Sequence, residues 1–326
     1  MSCNDKPVHT HNASRASLTA PNHMRSRLLP ALAALTLVSG LVHAQKKPAA
    51  LPPLDLASPD DALLVQQRIQ CATDSSAVTY WWQGTVWSRV SGERDRMLFT
   101  FQAMNTRACA SLNDPAKGRG YRMVSRELVF YTDPATGQVL RTWKNPWTGK
   151  DTDVMHVSND PVNMSAPQFS RGPDGPFKMS NLVEKDGTAF MSSIVPLFYI
   201  NPLAGDYQEN VGGQYHAMEL FNFFAPMAQL TNRSLATVPD VQIHWSRVSR
   251  WLPWMNMGDR DGIVIYNSQG KKLASWDGLP DMMKKEIALN YPEYTKPPAL
   301  DDARPNETSW TYFKKWQAKR AAANKK

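Results

Sequence analysis

Three histidines, His156, His216 and His244, could carry acid–base or metal chemistry in the main part of the chain. Three imidazoles can hold a zinc ion and leave one coordination position open. No two of them have the spacing of one helix face or of alternate strand positions, so only the fold could gather them. The motifs G-x-S-x-G, H-E-x-x-H and G-x-G-x-x-G and the P-loop are absent. The sequence therefore predicts no metal and no cofactor, and it leaves the histidines as candidate catalytic acids or bases.

Charged residues within predicted strands form a second group of candidates. Successive side chains point to opposite faces of a strand, which puts Glu219 on an aromatic face. The same alternation puts Arg247 and Glu127 on faces that look buried. The residues that share these faces are Tyr215, Phe221 and Phe223 for Glu219, Ile243, Trp245 and Trp251 for Arg247, and Val129 and Tyr131 for Glu127.

An unpaired buried charge costs several kcal/mol, so Glu219 needs a partner, and Arg247 is the candidate. Two interpretations stay open. One is a buried structural ion pair. The other is a polar cluster inside an aromatic pocket that binds a small molecule, with Glu127 and at least one of the three histidines as further members.

The aromatic and methionine content gives a third group of candidates. The chain has 11 Trp, 11 Phe, 10 Tyr and 15 Met residues. The segment "WLPWMNMGDR" places Trp251, Trp254 and Met255 around a proline. Such side chains can fill a core, or they can line a cavity for a flat apolar ligand. The sequence does not separate these alternatives.

Short strands must position all of these residues. From Thr79 onward the hydrophobic pattern has the period of strands, interrupted by turns rich in glycine, proline and asparagine. The predicted turns lie at residues 91–95, 133–137, 145–149, 185–187 and 267–270. About ten strands follow one another without the strand–helix–strand alternation of a parallel sheet. We therefore expect an antiparallel meander that closes into a β-barrel and so removes its exposed edges.

Helices are predicted at both ends of this sheet. Ser58-Pro59 followed by two acidic residues is typical of a helix start, and that helix ends near Cys71. Two further helices are predicted in "LPDMMKKEIALNY" and "NETSWTYFKKWQAKR", with Asn306 as the cap of the second. The fold class is thus mainly β, with a short N-terminal helix and two C-terminal helices.

The N-terminal region divides into three segments. Residues 24–44 combine two arginines, an apolar run and small residues before Gln45, which is typical of a signal peptide. The apolar run is too short to cross a bilayer, so no transmembrane segment should remain after cleavage. We expect Met24 to be the true start, with residues 1–23 as an untranslated or non-native leader. Residues 45–57 read as a proline-rich linker and 58–326 as one domain.

Charge and cysteine content restrict the function classes. The net charge of +8 is spread along the chain without a dense basic and aromatic patch, which argues against a nucleic-acid partner. Cleavage leaves Cys71 and Cys109 as the only cysteines. An even pair in an exported protein favours a disulfide over two free buried thiols. The expected location is the periplasm or the extracellular space.

Several phrases resemble one family. They are "RELVFYTDPATGQVLRTWKNPWTG", "MHVSNDPVN", "WLPWMNMGDRDGIVIY" and "PNETSWTYFKK". The chain is identified from them as a member of an uncharacterised bacterial family, the domain of unknown function 1838, from about Arg68 to Lys315. The resemblance implies one continuous domain and assigns no catalytic residue. The meander also resembles lipocalin-type barrels, which is an architectural analogy.

The sequence leaves two functional hypotheses. The first is an exported barrel that binds an aromatic or lipidic small molecule in an internal cavity. The alternative is an enzyme in the same barrel, a cofactor-independent lyase, hydratase or isomerase that uses a histidine and a carboxylate, and its catalytic candidates are His156, His216, His244 and Glu219.

Overall fold

A ten-stranded antiparallel sheet dominates the computed structural model, which describes residues 51–201, 203 and 214–323. The predicted leader, the signal peptide and the first part of the predicted linker lie outside the described residues. The strands, in chain order, are β1 Val78–Arg89, β2 Arg96–Asp114, β3 Gly118–Thr132, β4 Thr142–Lys144, β5 Asp151–Asp153, β6 Val157–Asn159, β7 Gln168–Phe169, β8 Arg171–Gly172, β9 Gly175–Pro176, β10 Leu182–Lys185, β11 Thr188–Ile200, β12 Gln214–Pro226, β13 Gln242–Arg250 and β14 Ile263–Leu273.

The sheet joins two meanders. Its strand order is β10-β11-β12-β13-β14-β1-β2-β3-β6, and β7 also pairs with β3. The last strand of the chain, β14, lies between β13 and β1 and thereby connects the C-terminal meander to the N-terminal one. The hairpins β4–β5 and β8–β9 stay separate from this sheet.

The sheet differs from the predicted closed barrel. No pairing joins its two ends among the described strands, so the sheet remains open. Both end strands are short, since β6 has three residues and β10 has four. Short edge strands are a common way to limit edge-to-edge association without closure. The broader prediction of a mainly β, antiparallel fold is confirmed.

The turn predicted at residues 267–270 is wrong. These residues lie inside β14, which runs unbroken and pairs with β13 on one side and β1 on the other. The glycine of this segment serves a close approach between strands instead of a turn. A Cβ atom at Gly270 would lie 2.0 Å from the carbonyl oxygen of Trp81 on β1.

The other turns join the strands as the pattern predicts. Residues 91–95 connect β1 to β2, and 185–187 connect β10 to β11. At 133–137 the Asp133 side chain accepts hydrogen bonds from the amides of Ala135 and Thr136. The Asn145 side chain does the same for the amides of Trp147 and Thr148. The segment 132–151 is therefore a pair of consecutive turns at the edge of the sheet.

The predicted helices are present at both ends. The α-helices are α1 Pro59–Gln70, α2 Met227–Leu230, α3 Asp281–Asn290 and α4 Ser309–Ala323. The cap of α4 differs from the prediction, because the hydroxyl of Thr308 accepts the amide of Thr311. Asn306 instead accepts the amide of Asn163 through its side chain. No described helix is long and apolar enough to span a membrane.

The N-terminal helix is tied to the sheet. Cys71 follows the last turn of α1 and forms a disulfide with Cys109 of β2, across a Cα–Cα distance of 5.7 Å. Both cysteines are fully buried, and the predicted bridge is confirmed. Packing begins before α1, because Leu54 is buried in the main core and its amide donates to the carbonyl of Thr231. The ordered contacts thus extend into the predicted linker.

Candidate functional site

The concave face of the sheet encloses a cavity of 280 Å³. Its walls come from strands as far apart in the sheet order as β11 and β3, so the sheet must curl strongly around it. The apolar and aromatic wall includes Trp82, Phe221, Phe223, Ile243 and Trp245, and the polar part includes Gln70, Asn105, Arg107, Ser125, Glu127 and Glu219. The cavity therefore combines aromatic surface with charged groups.

Glu219 and Arg247 form the ion pair that the sequence predicts. They stand directly opposite each other on β12 and β13. Arg247 Nη1 lies 2.6 Å from Glu219 Oε1, and Nη2 donates to the hydroxyl of Tyr215 at 2.6 Å. The two charged side chains are 13 % and 17 % exposed. Such a pair is expensive to break from one side when no second carboxylate is near enough to balance the remaining buried charge.

Glu127 faces the same cavity from β3 and forms no hydrogen bond or salt bridge with any described residue. It is half-buried. Burial and the nearby negative charge of Glu219 raise the pKa of Glu127 to about 7, against the opposing effects of Arg247 and Arg107. A carboxyl group in this range changes its protonation near neutral pH, which suits an acid–base group or a pH-dependent ligand contact.

Arg107 of β2 places a guanidinium in the lining of the cavity. Its Nε donates to Asn105 Oδ1 at 2.7 Å, and its Nη1 donates to Gln70 Oε1 at 2.6 Å. The guanidinium also lies over the ring of Tyr80, 4.8 Å from its centroid. Neutral amide groups and an aromatic ring therefore fix this cation in place.

Tyrosines surround Arg247 in a region next to the cavity, and the two regions share Glu127 and Trp245. The hydroxyls of Tyr131 and Tyr266 lie 3.0 Å apart, and Tyr266 is directly opposite Arg247 in the sheet. Arg247 Nε is buried and has no hydrogen-bond partner among the described residues. Burial raises the pKa of Tyr266 well above its ordinary value, so the hydroxyl stays protonated. The hydroxyls of three tyrosines therefore lie around Arg247.

The structure does not bring the three histidines to the cavity. His216 is exposed on the opposite face of β12 and packs edge-on against Phe198. His244 also faces outward, and its Nε2 lies 2.9 Å from Asn267 Oδ1. His156 is buried behind β3, where its Nδ1 accepts the amide of Tyr131.

No described group of three or more His, Cys, Asp or Glu residues could hold a metal ion. Burial, and then the charge of Arg141, lower the pKa of His156 to about 4, so this histidine is neutral near neutral pH. None of the three histidines therefore belongs to the polar cluster at the cavity, although the sequence predicts at least one of them there.

The tryptophan segment packs into the core away from the cavity. Trp251 is buried, and its indole donates to the carbonyl of Arg260. Trp254 packs against the rings of Phe99, Tyr131 and Trp143. Trp254 also borders a separate surface depression of 300 Å³. Met255 is completely buried. These residues fill the core, which was the alternative to a lining role.

Sequence reasoning missed Arg107 and Trp82. Arg107 lies two positions before Cys109, on the same face of β2, so the predicted disulfide already marked that face as buried. A buried arginine on such a face was the available signal. Trp82 is 4 % exposed, and its indole nitrogen has no partner among the described residues.

The chain matches one known protein family over most of its length. Residues 75–317 match the family described as "Protein of unknown function (DUF1838)". The chain belongs to this family. No curated protein is significantly similar to it. The crystal structure of LolA superfamily protein NE2245 from Nitrosomonas europaea is 10 % identical, and the match covers 69 % of this chain and 96 % of that chain, with a TM-score of 0.14. A similarity this low carries no argument.

Two groups of this DUF1838 protein should give its stability opposite pH dependences. The pKa of Glu127 is raised in the folded state, so its contribution is full below pH 4.5 and is lost as the pH rises through 7. The pKa of His156 is lowered, so its contribution is full above pH 6.5 and is lost as the pH falls towards 4. Between these limits the two effects oppose each other.

Single variants should therefore separate the two pH dependences of the free energy of unfolding. Between about pH 4.5 and 6.5, we expect the free energy of unfolding of Glu127→Gln to rise by about 2 kcal/mol more than that of the wild type. The variant His156→Asn keeps an acceptor for the Tyr131 amide. Over the same pH range, we expect its free energy of unfolding to fall by about 2 kcal/mol relative to that of the wild type. Urea unfolding of the three proteins across this range is the measurement. Parallel pH profiles would contradict the assignment.

Proposed function

We propose that this DUF1838 protein is exported and binds an aromatic or hydrophobic small molecule in the concave cavity. The observation that carries the proposal is a cavity whose aromatic wall adjoins two charged groups, Glu127 and Arg107, that form no salt bridge with any described residue. Ligand sites typically combine a largely apolar lining with a few fixed polar groups.

Burying Glu127 and Arg107 without pairing them with each other costs free energy. A folded protein without a ligand gains stability if a buried cation and a buried carboxyl group pair with each other or are replaced by apolar residues. Glu127 and Arg107 face the same cavity and still do not pair with each other. A ligand that binds to Glu127 and Arg107 would provide the interactions that these two groups do not make with each other.

Export is the second part of the proposal. The buried Cys71–Cys109 disulfide supports it, because such bridges persist in oxidising compartments. The predicted signal peptide at residues 24–44 gives the route. The proposed location is the periplasm or the extracellular space.

Two adjacent positions of β11 allow a matched test. Val195 lies at the cavity, opposite Glu219, whereas Ile194 points to the other face and is 61 % exposed. We expect Val195→Trp to fill the cavity and Ile194→Trp to leave it open. A thermal-shift screen of aromatic and hydrophobic compounds should find ligands that raise the Tm of the wild type by about 5 °C at a hundredfold excess over Kd.

The same compounds should raise the Tm of Ile194→Trp and leave that of Val195→Trp unchanged. Ligands that stabilise both variants equally would bind elsewhere on the protein, and the proposed site would then be wrong.

A second candidate function, an enzyme in the same cavity, is favoured by one observation. The pKa of Glu127, about 7, is that of an efficient general acid or base at neutral pH. The reaction would be that of a cofactor-independent lyase, hydratase or isomerase. The sequence predicts a histidine and a carboxylate as the acid and base, whereas here the carboxyl group of Glu127 would act without a histidine. Ligands found in the screen that are converted by the wild type but only bound by Glu127→Gln would favour the enzyme.

A further inference from the structure

Arg107 is a buried cation that lines the cavity without an anionic partner. It is 8 % exposed, and two of its nitrogens donate to the side chains of Asn105 and Gln70. Its Nη2 has no hydrogen-bond partner among the described residues, and no described carboxylate forms a salt bridge with it. Glu127 is a diagonal neighbour across β2 and β3, yet the two charges stay apart. The Nη2 group of a rigidly held guanidinium thus remains available as a donor.

Two further buried basic side chains, Lys272 and Arg68, lie near Arg107 but outside the lining of the cavity. Lys272 and Arg68 are 5 % and 1 % exposed. Burial, together with the charges of Arg107 and Arg68, lowers the pKa of Lys272 well below its ordinary value. The hydrogen bonds of these two side chains go to uncharged oxygens, among them the carbonyl of Arg68 and that of Asn232. None of the three basic side chains has a described carboxylate as a hydrogen-bond or salt-bridge partner.

The opposite wall of the cavity is flat and aromatic. The rings of Phe221 and Phe223 lie parallel, with an interplanar angle of 5° and centroids 6.2 Å apart. Trp245 stands beside them on β13. A planar ring can lie against these side chains, and a volume of 280 Å³ is at the lower limit for drug-sized ligands.

We propose that the ligand is a small aromatic carboxylate, whose carboxylate binds Arg107 and whose ring lies against Phe221, Phe223 and Trp245. This inference rests on the proposed function and adds the charge and orientation of the ligand to it. Charge-assisted hydrogen bonds from arginine to carboxylates are among the strongest polar contacts in proteins.

Glu127 makes the binding of an anion depend on pH. The charged groups that act on Glu127 are Glu219 of β12, Arg247 of β13 and Arg107 of β2. A bound carboxylate adds a negative charge near Glu127 and occupies Arg107, so it binds best when Glu127 is protonated. Binding should therefore take up a proton, and the affinity should fall as the pH rises above 7.

The experiment compares three probes that share one ring system and differ in charge: 2-naphthoate, 2-naphthamide and 2-(aminomethyl)naphthalene. Their Kd values for the full chain are measured by calorimetry at pH 6 and pH 8. We expect the carboxylate to bind at least tenfold more tightly than the amide at pH 6. Its affinity should drop at pH 8 in the wild type and change little in Glu127→Gln.

Variants of Arg107 give the matched control. Arg107→Gln should weaken binding of the carboxylate at least tenfold and leave the Kd of the amide within about twofold. Arg107→Lys keeps the positive charge but lacks the planar guanidinium with its parallel donors. It should therefore retain part of the preference for the carboxylate over the amide. Should Arg107→Gln fail to fold, the pH comparison in the wild type still tests the inference.

The outcomes distinguish this inference from the proposed function. Equal affinity for carboxylate and amide, or tighter binding of the amine, would overturn the carboxylate assignment and leave a small-molecule site in place. Failure of all three probes to bind, together with a screen that finds no compound sensitive to Val195→Trp, would overturn both.

Discussion

Replacing Glu127 and Glu219 together by glutamine should destabilise the protein far more than the two single replacements predict. Arg247 is buried, bonds Glu219 directly and acts electrostatically on Glu127. In Glu219→Gln the carboxylate of Glu127, which is ionised at pH 8 because its pKa is about 7, can balance Arg247. In Glu127→Gln the ion pair is untouched. Only the double variant leaves Arg247 without a carboxylate, at a cost of about 3–5 kcal/mol.

The measurement is a double-mutant cycle at pH 8, with urea unfolding of the wild type, both single variants and the double variant. Each single variant should lose about 1 kcal/mol or less, so most of the loss should appear as the coupling energy. An exposed pair, Arg250–Asp261, supplies the control, and Asp261→Asn should change stability by less than about 0.5 kcal/mol. Additive losses at Glu127 and Glu219 would show that Glu127 does not balance Arg247.

Removing the Cys71–Cys109 disulfide should lower the free energy of unfolding by about 4 kcal/mol. The bridge joins residues 38 positions apart and closes a loop that contains β1 and part of β2. In the chain-entropy account, a loop of this length restricts the unfolded chain by about that amount. The bridge also holds the end of α1, and with it Gln70, against the strand that carries Arg107.

Unfolding of the wild type with and without reductant is the measurement for the disulfide. A variant with alanine at both Cys71 and Cys109 is the control, because its unfolding midpoint should not respond to reductant and should lie near that of the reduced wild type. A wild type whose midpoint is the same in both conditions would contradict the prediction.

Local patterns determined a large part of this fold. The alternation of side chains along a strand correctly put Glu219 with Phe221 and Phe223, and Glu127 with Tyr131, because the two-residue period is a property of one strand alone. Turn residues with defined backbone preferences, such as those at 133–137 and 185–187, marked most strand ends. The need of a buried carboxylate for a partner then indicated Arg247.

Only the tertiary structure decided which strands share the cavity. Pairing of β14 with β1 and the curl of the sheet bring Glu127 of β3 close to Glu219 of β12, and neither contact has a signal in the local pattern. The same non-local pairing turned the segment 267–270 into a central strand, since a glycine that lets two backbones approach looks in sequence like one that allows a turn. The local alternation already separated His216 from Glu219 and His244 from Arg247, and the tertiary structure decided that the face of the two histidines is the outer one.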